Sequence, residues 1–453
     1  MRSSSQIILF TILLMLFSLF FILEIGDTEH QQSLVMCANF LFVLWQVWRI
    51  GKLSPFFLFM STFCFLFIGG HFWGCLINPD LPLRVGSFMD PTPSTEPEWK
   101  NTLAYLILFL YASLAGYNIY RYKHDLETDN SVYVADNGGR FISLNRVLVV
   151  IFWPLAFFVL YGGYKTLMLI MSSGYSAIYL SQAEGYSSNS FLLVLTMFFF
   201  SMAMTFGNKK NRMLYISMML TNGIIGILGG GRGAFGAFLL FALWLSSTRW
   251  KINFKKLFIG GGIALFLLLF MSQMSKRSQD SGTEYDSITD MAGLFIYSQG
   301  ESLATFEKSR EYTYPALAYV QSFIPGSSLI YAKLINPNLK NYESSFSLYL
   351  SQRMNAKRFL EGDGGGWTLI SDLYLFSGRT WSGYIILSFL FGFLMAMLEC
   401  KSKKDMLYRV VMFSIFLRLL TLPRTGLNYI CPLIIYVMIY YYIFSHLYNL
   451  QRK

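Results

Sequence analysis

Residues 222–244 read NGIIGILGGGRGAFGAFLLFALW, and how they are read decides the fold. Two apolar runs meet across a glycine cluster with one charge, Arg232, between them. Neither side leaves room for a domain, so the stretch is a tight hairpin between two membrane spans. Gly230 and Gly231, inside that cluster, let the backbone take positive φ and approach a ligand closely. The following span opens with the free N–H groups and positive dipole end of a helix, which favour an anion. Arg232 adds a permanently charged fork of donors suited to phosphate. One reading is a phosphate-binding corner at a membrane surface. The other is a tight turn with a snorkelling arginine and close, GxxxG-type packing.

The rest of the chain supports the membrane. Of its 453 residues 54% are hydrophobic and only 13% charged, against about 25% charged in soluble domains. Apolar runs of spanning length fall near 6–23, 34–50, 54–77, 102–120, 146–171, 190–206, 213–229, 233–248, 257–274, 381–399, 406–422 and 429–446. The expected fold is therefore an all-α polytopic integral membrane protein of about twelve transmembrane helices. No small-x-small cleavage site follows the first run, which reads as a retained span. Basic residues crowd alternate short linkers: Arg49 and Lys52, then Arg121, Lys123, Arg140 and Arg146, then Lys209, Lys210 and Arg212, then Lys401, Lys403, Lys404 and Arg409. By the positive-inside rule both termini are cytoplasmic and the Arg232 hairpin faces outward. The net charge of +11 thus reflects topology and does not indicate a nucleic-acid partner.

Residues 1–274 are read as nine spans, 275–380 as a large extracytoplasmic loop between the ninth and tenth, and 381–453 as three more spans. From 275 to 366 the loop holds nine Lys/Arg and ten Asp/Glu, and many tyrosines. It is too aromatic for a disordered linker. Short amphipathic helices are expected at 291–297, 316–323 and 345–353. The apolar segment 367–376 is too short to span and suits a re-entrant or surface-lying element.

Arginines collect at the outward boundary: Arg232, Arg379, Arg418 and Arg424, the last in the turn 422–428, LPRTGLN. Charges at membrane depth are functional candidates by default, and ordinary snorkelling explains isolated cases. Among acids, Asp372 is the best candidate general base, since desolvation would raise its pKa. Arg379 lies seven residues on and, were the helix to continue, near the same face, so an ion pair is the competing account. Glu343 is a second candidate acid, with helix capping as the simpler explanation. Glu361 and Asp363 resemble the paired acids of metal-dependent sugar transferases but precede Gly364–Gly366, which favours a turn. Glu301 is weaker still. The five cysteines and four histidines are scattered, with no metal-ligand spacing, so neither a metal nor another cofactor is expected.

With these features assembled, the chain resembles the Wzy-type polymerases of O-antigen and capsule repeat units in bacterial envelopes. The likeness covers most of the length, with about a dozen spans and one large outward loop late in the chain. Four segments carry it locally: 228–234 (LGGGRGA), 322–327 (SFIPGS), 367–378 (WTLISDLYLFSG) and 422–427 (LPRTGL). The related O-antigen ligases use a histidine in the large loop, and this loop has none. The resemblance implies undecaprenyl-diphosphate-linked glycans as donor and acceptor, joined at the outer face of the inner membrane. It also implies a chain-length regulator and a flippase as partners. Arg232 and Arg424 would then bind the diphosphate, supported by Arg418, Arg379, Gly230 and Gly231. A lipid-linked oligosaccharide flippase is the competing class, but it should show repeat symmetry and charges lining a midplane cavity. Here the charges gather at one face.

Overall fold

The computed structural model describes residues 2–26, 28–84, 86–124, 141–174, 190–247, 288–324 and 326–448, with 177 and 260. The described residues contain helices and turns and no strand. The first half runs α1 (Arg2–Phe20), α2 (Glu29–Gly51), α3 (Pro55–Thr62), α4 (Gly69–Ile77), α5 (Glu96–His124), α6 (Ile142–Ser173), α7 (Ser190–Phe206), α8 (Lys209–Leu228) and α9 (Arg232–Ser247). Short helices follow: α10 (Ile288–Gln299), α11 (Ser302–Ser309), α12 (Ala316–Phe323), α13 (Ser327–Leu334), α14 (Phe346–Met354), α15 (Ala356–Leu360) and α16 (Leu369–Phe376). The chain closes with α17 (Trp381–Lys404), α18 (Met406–Leu419) and α19 (Cys431–Tyr448).

Among the described residues five helices are long and apolar enough to cross a bilayer, and a sixth is added if α3 and α4, bent by 49°, count as one span. The expected twelve includes shorter helices: α18, at 14 residues, rises only about 21 Å against a hydrocarbon core of about 30 Å. The expected ninth span, 257–274, lies outside the described residues apart from residue 260. The chain is a multi-pass helical membrane protein.

The centre of the bundle is the crossing of α5 and α17. A Cβ on Gly116 would meet the Phe389 carbonyl oxygen at 2.0 Å, and one on Gly392 would meet that of Ser113 at 1.9 Å. Glycine at both contact points lets the two backbones touch, as small residues do at helix crossings in membranes. Nearby, Pro55 opens α3, leaving the Phe56 N–H at a helix start with no intrahelical acceptor. Glu399 of α17 accepts that N–H at 2.7 Å and the Tyr117 hydroxyl of α5 at 2.7 Å. One buried carboxylate thereby ties three helices.

The short helices α10–α16 sit on this bundle. Arg310, at the end of α11, donates to Thr102 Oγ1 and to the Glu98 carbonyl on α5, with its guanidinium over the Tyr105 ring. The apolar face of α16 joins the main core through Leu369, Ile370 and Leu373. Burial in protein is what allows so short a helix to sit at the end of the spans. A second, aromatic core of Tyr314, Phe346 and Trp367 lies beyond it.

Candidate functional site

The segment 367–378 folds as a capped helix. Thr368 precedes α16 in extended conformation, and its hydroxyl accepts the Ser371 N–H at 3.1 Å. This cap places Asp372 in the first turn, where the helix dipole favours a carboxylate. The side chain is buried, and both oxygens are engaged. Trp367 Nε1 donates to Oδ1 at 2.7 Å, while the Leu427 N–H donates to Oδ2. Burial pushes the carboxyl up to about 7, against the pull of these two bonds. The indole is held by stacking on Phe346, centroids 5.2 Å apart.

Asp372 therefore grips a turn 55 residues away. Residues 422–424 form a 3-10 turn opened by Leu422 and Pro423. At Gly426 a Cβ would stand 2.5 Å from Asp372 Oδ2 and 2.7 Å from the Trp367 ring. Only glycine admits the carboxylate there. Arg424 is exposed in this turn, and its guanidinium takes no partner among the described residues. Arg418, in the last turn of α18, donates to the Tyr429 carbonyl at 2.5 Å and lies 4.7 Å from that ring's centroid. It braces the far side of the same turn.

The glycine corner is built differently. Gly230 has φ +90°. Its N–H bonds the Ile227 carbonyl at 2.7 Å, and the Gly231 N–H bonds that of Gly226 at 2.8 Å. This is a Schellman cap closing α8. The amides of Gly230 and Gly231 are thus consumed by the helix they terminate, which removes them as donors to an anion. The first turn of α9, opened by Arg232, remains the source of free N–H groups. A Cβ on Gly233 would lie 3.9 Å from Thr421, and α9 packs on α18. The corner and the Arg424 turn are neighbours.

All four segments quoted from the sequence meet at this end of the bundle. Segment 367–378 holds 422–427 through Asp372, 228–234 abuts Thr421, and α12, leading into 322–327, packs on Leu427–Tyr429.

Other expectations fare differently. Arg379 does not pair with Asp372, because α16 ends at Phe376 and positive φ at Gly378 and Arg379 turns the chain. Its guanidinium donates to the Tyr312 carbonyl instead. Glu343 lies in the 3-10 turn Asn341–Ser344 and accepts the Lys340 N–H at 3.3 Å, a capping arrangement. Glu301 accepts the Phe88 N–H at 3.0 Å, and Asp363 faces Arg358 at 3.9 Å beside a turn at Gly362. Among the described residues no three of His, Cys, Asp and Glu gather as a metal site. Sequence reasoning passed over Trp367, whose role exists only once the two segments touch. It also passed over Glu307, buried on α11, whose carboxyl is pushed up by burial.

No curated protein and no solved structure matches the chain. The family model described as O-antigen polysaccharide polymerase Wzy matches residues 6–451, nearly the whole chain and all four converging segments. The chain belongs to the Wzy family of O-antigen polysaccharide polymerases.

Proposed function

We propose that the chain joins undecaprenyl-diphosphate-linked repeat units by glycosyl transfer, with lipid diphosphate as leaving group, at the outer face of the cytoplasmic membrane. The family acts on lipid-linked oligosaccharide repeat units. The observation that carries the finer reading is the exposed Arg424, without a partner among the described residues, on a turn fixed by Asp372 and beside the helix start at Arg232. A departing diphosphate concentrates negative charge, and cations already held in place stabilise it without reorganisation. Arg424 and Arg232 are assigned to the diphosphate, and Arg418 and Arg379 to holding the surrounding turns. Diphosphate is a good leaving group, so this chemistry asks for no metal.

Asp372 has a value suited to proton transfer, yet both its oxygens are committed. We assign it first to positioning the Arg424 turn. A base role in addition requires substrate to displace Trp367 or Leu427 from one oxygen. The two roles separate kinetically. Positioning alone leaves the pH–rate profile of Asp372→Asn with the shape of the native one, while a base role removes its limb near pH 7.

The test uses purified protein, a lipid-diphosphate-linked repeat unit and no added metal. A ladder of lengthening glycans, lost in Arg424→Ala and Arg232→Ala, supports the reading. Movement of the intact lipid across a liposome bilayer without a ladder transfers the chain to the flippase reading.

A further inference from the structure

We propose that α12 and α13 form a membrane-inserted element, seated in the leaflet where α19 begins. Residues 316–335, ALAYVQSFIPGSSLIYAKLI, carry one charge, Lys333, and no acid. In a water-facing helix pair the apolar residues turn inward. Here they do not: Leu329 is 68% and Leu334 78% exposed, with Ile324, Ile330 and Ile335 also exposed. A mainly apolar groove of about 500 Å³ lies between the two helices and the following loop, lined by Val320, Ile324, Ile330, Ile335 and Leu339, with Glu343 also lining it.

The fold indicates what covers this surface. Helix α12 packs against the turn Leu427–Tyr429 and against α19. Helix α19 is a membrane span whose own outer stripe, Met438, Ile439 and Tyr442, is exposed. The apolar surface of α12 and α13 thus continues the lipid-facing side of a span. Polar groups are handled as hydrocarbon demands. The first turn of α13 would present free N–H groups, but Gln321 Oε1 accepts the Ser328 N–H at 2.9 Å and the Ser327 hydroxyl at 2.6 Å. Lys333, exposed in the last turn of α13, has the long stem that reaches a headgroup. Eight residues apiece is too short to span, so the pair lies along the interface with acyl chains of that leaflet filling the groove. The turn that carries Arg424 is thereby held at the level of lipid headgroups, through the rest of α12 on Leu427–Tyr429.

The test is spin-label accessibility in vesicles of phosphatidylethanolamine and phosphatidylglycerol that contain no polyprenyl lipid, so it does not depend on the catalytic reading. Cysteines are introduced singly as Leu329→Cys, Leu334→Cys and Glu361→Cys, the last an exposed loop control. Cys431→Ser removes the one natural cysteine that is not buried. At 329 and 334 relaxation by oxygen should exceed that by a water-soluble nickel chelate several-fold, with the order reversed at 361. Nickel dominating at 329 and 334 would overturn the proposal, because the helices then face water. Exclusion of both reagents, relieved by dilution in detergent, would also overturn it and give the surface to a second copy of the chain.

Discussion

Two turns, each carrying an arginine and at least one glycine, stand side by side at one end of the bundle, yet they are held by different forces. The corner before α9 is self-sufficient, since Gly230 and Gly231 close α8 with bonds to residues three and five positions back. The turn at 422–427 depends on a carboxylate 55 residues away and on the indole that orients it. A locally closed turn survives changes elsewhere in the chain. A turn held at long range reports on its holder, and the exposed cation sits on the second kind.

The largest effect should come from the cation itself. Arg424→Ala should lower polymerisation by about 100-fold or more, measured as ladder formation. Arg424→Lys should recover only part, because the charge returns without the fork. Near-native activity in Arg424→Ala would remove this turn from the chemistry.

Next come the two sides of the contact that holds it. Gly426→Ala drives a methyl into Asp372, and Asp372→Ala strands the Leu427 and Trp367 donors. Each should cost about tenfold to 100-fold in kcat/KM. The double variant should be little worse than either single, since both remove one interaction. Multiplicative losses would mean that the glycine and the acid act separately.

A smaller signature is the pH dependence of stability. Burial raises the Asp372 carboxyl from an unfolded value of about 4 to about 7 when folded. The folded state therefore holds the proton more tightly, and this contribution is complete below pH ~4 and lost as pH rises through about 7. Relative to Asp372→Asn, the native chain should lose thermal stability between pH 5 and 8 in detergent. A pH-independent difference would mean that water reaches the carboxyl.

The smallest effect on activity belongs to the self-sufficient turn. Gly230→Ala puts a side chain at φ +90°, costing about 1–2 kcal/mol. The melting temperature should fall while the ladder persists at low temperature. Loss of the ladder there would make the two turns alike after all.

What the sequence revealed follows the same division. Helices announced by composition, such as α2, α5, α6 and α17, are found where hydropathy put them, because lipid sets a length and a polarity that each segment satisfies alone. The short helices α12 and α14 were legible for the same local reason. The bond from Asp372 to Leu427 was not, since nothing in either segment names the other. The competing account, an ion pair of Asp372 with Arg379, is ruled out at Gly378, where a local turn outweighs helical periodicity. That the amides of Gly230 and Gly231 close α8 was not legible either, since a helix end claims them. Family likeness marked the segments that matter, and only the fold gave their partners.

The carboxylate of Glu399 has a consequence for how the chain is made. The Phe56 amide that it accepts lies 343 residues upstream. At ribosomal rates of roughly 5–20 residues per second, α3 waits on the order of half a minute for its acceptor. Throughout that time a polar group at the start of an inserted helix lacks its final partner. The late span α17 therefore acts as a latch on the early ones. Chains truncated before residue 399 should leave α3 and α5 loosely associated and open to membrane quality-control proteases. The bundle is locked from its C-terminal end.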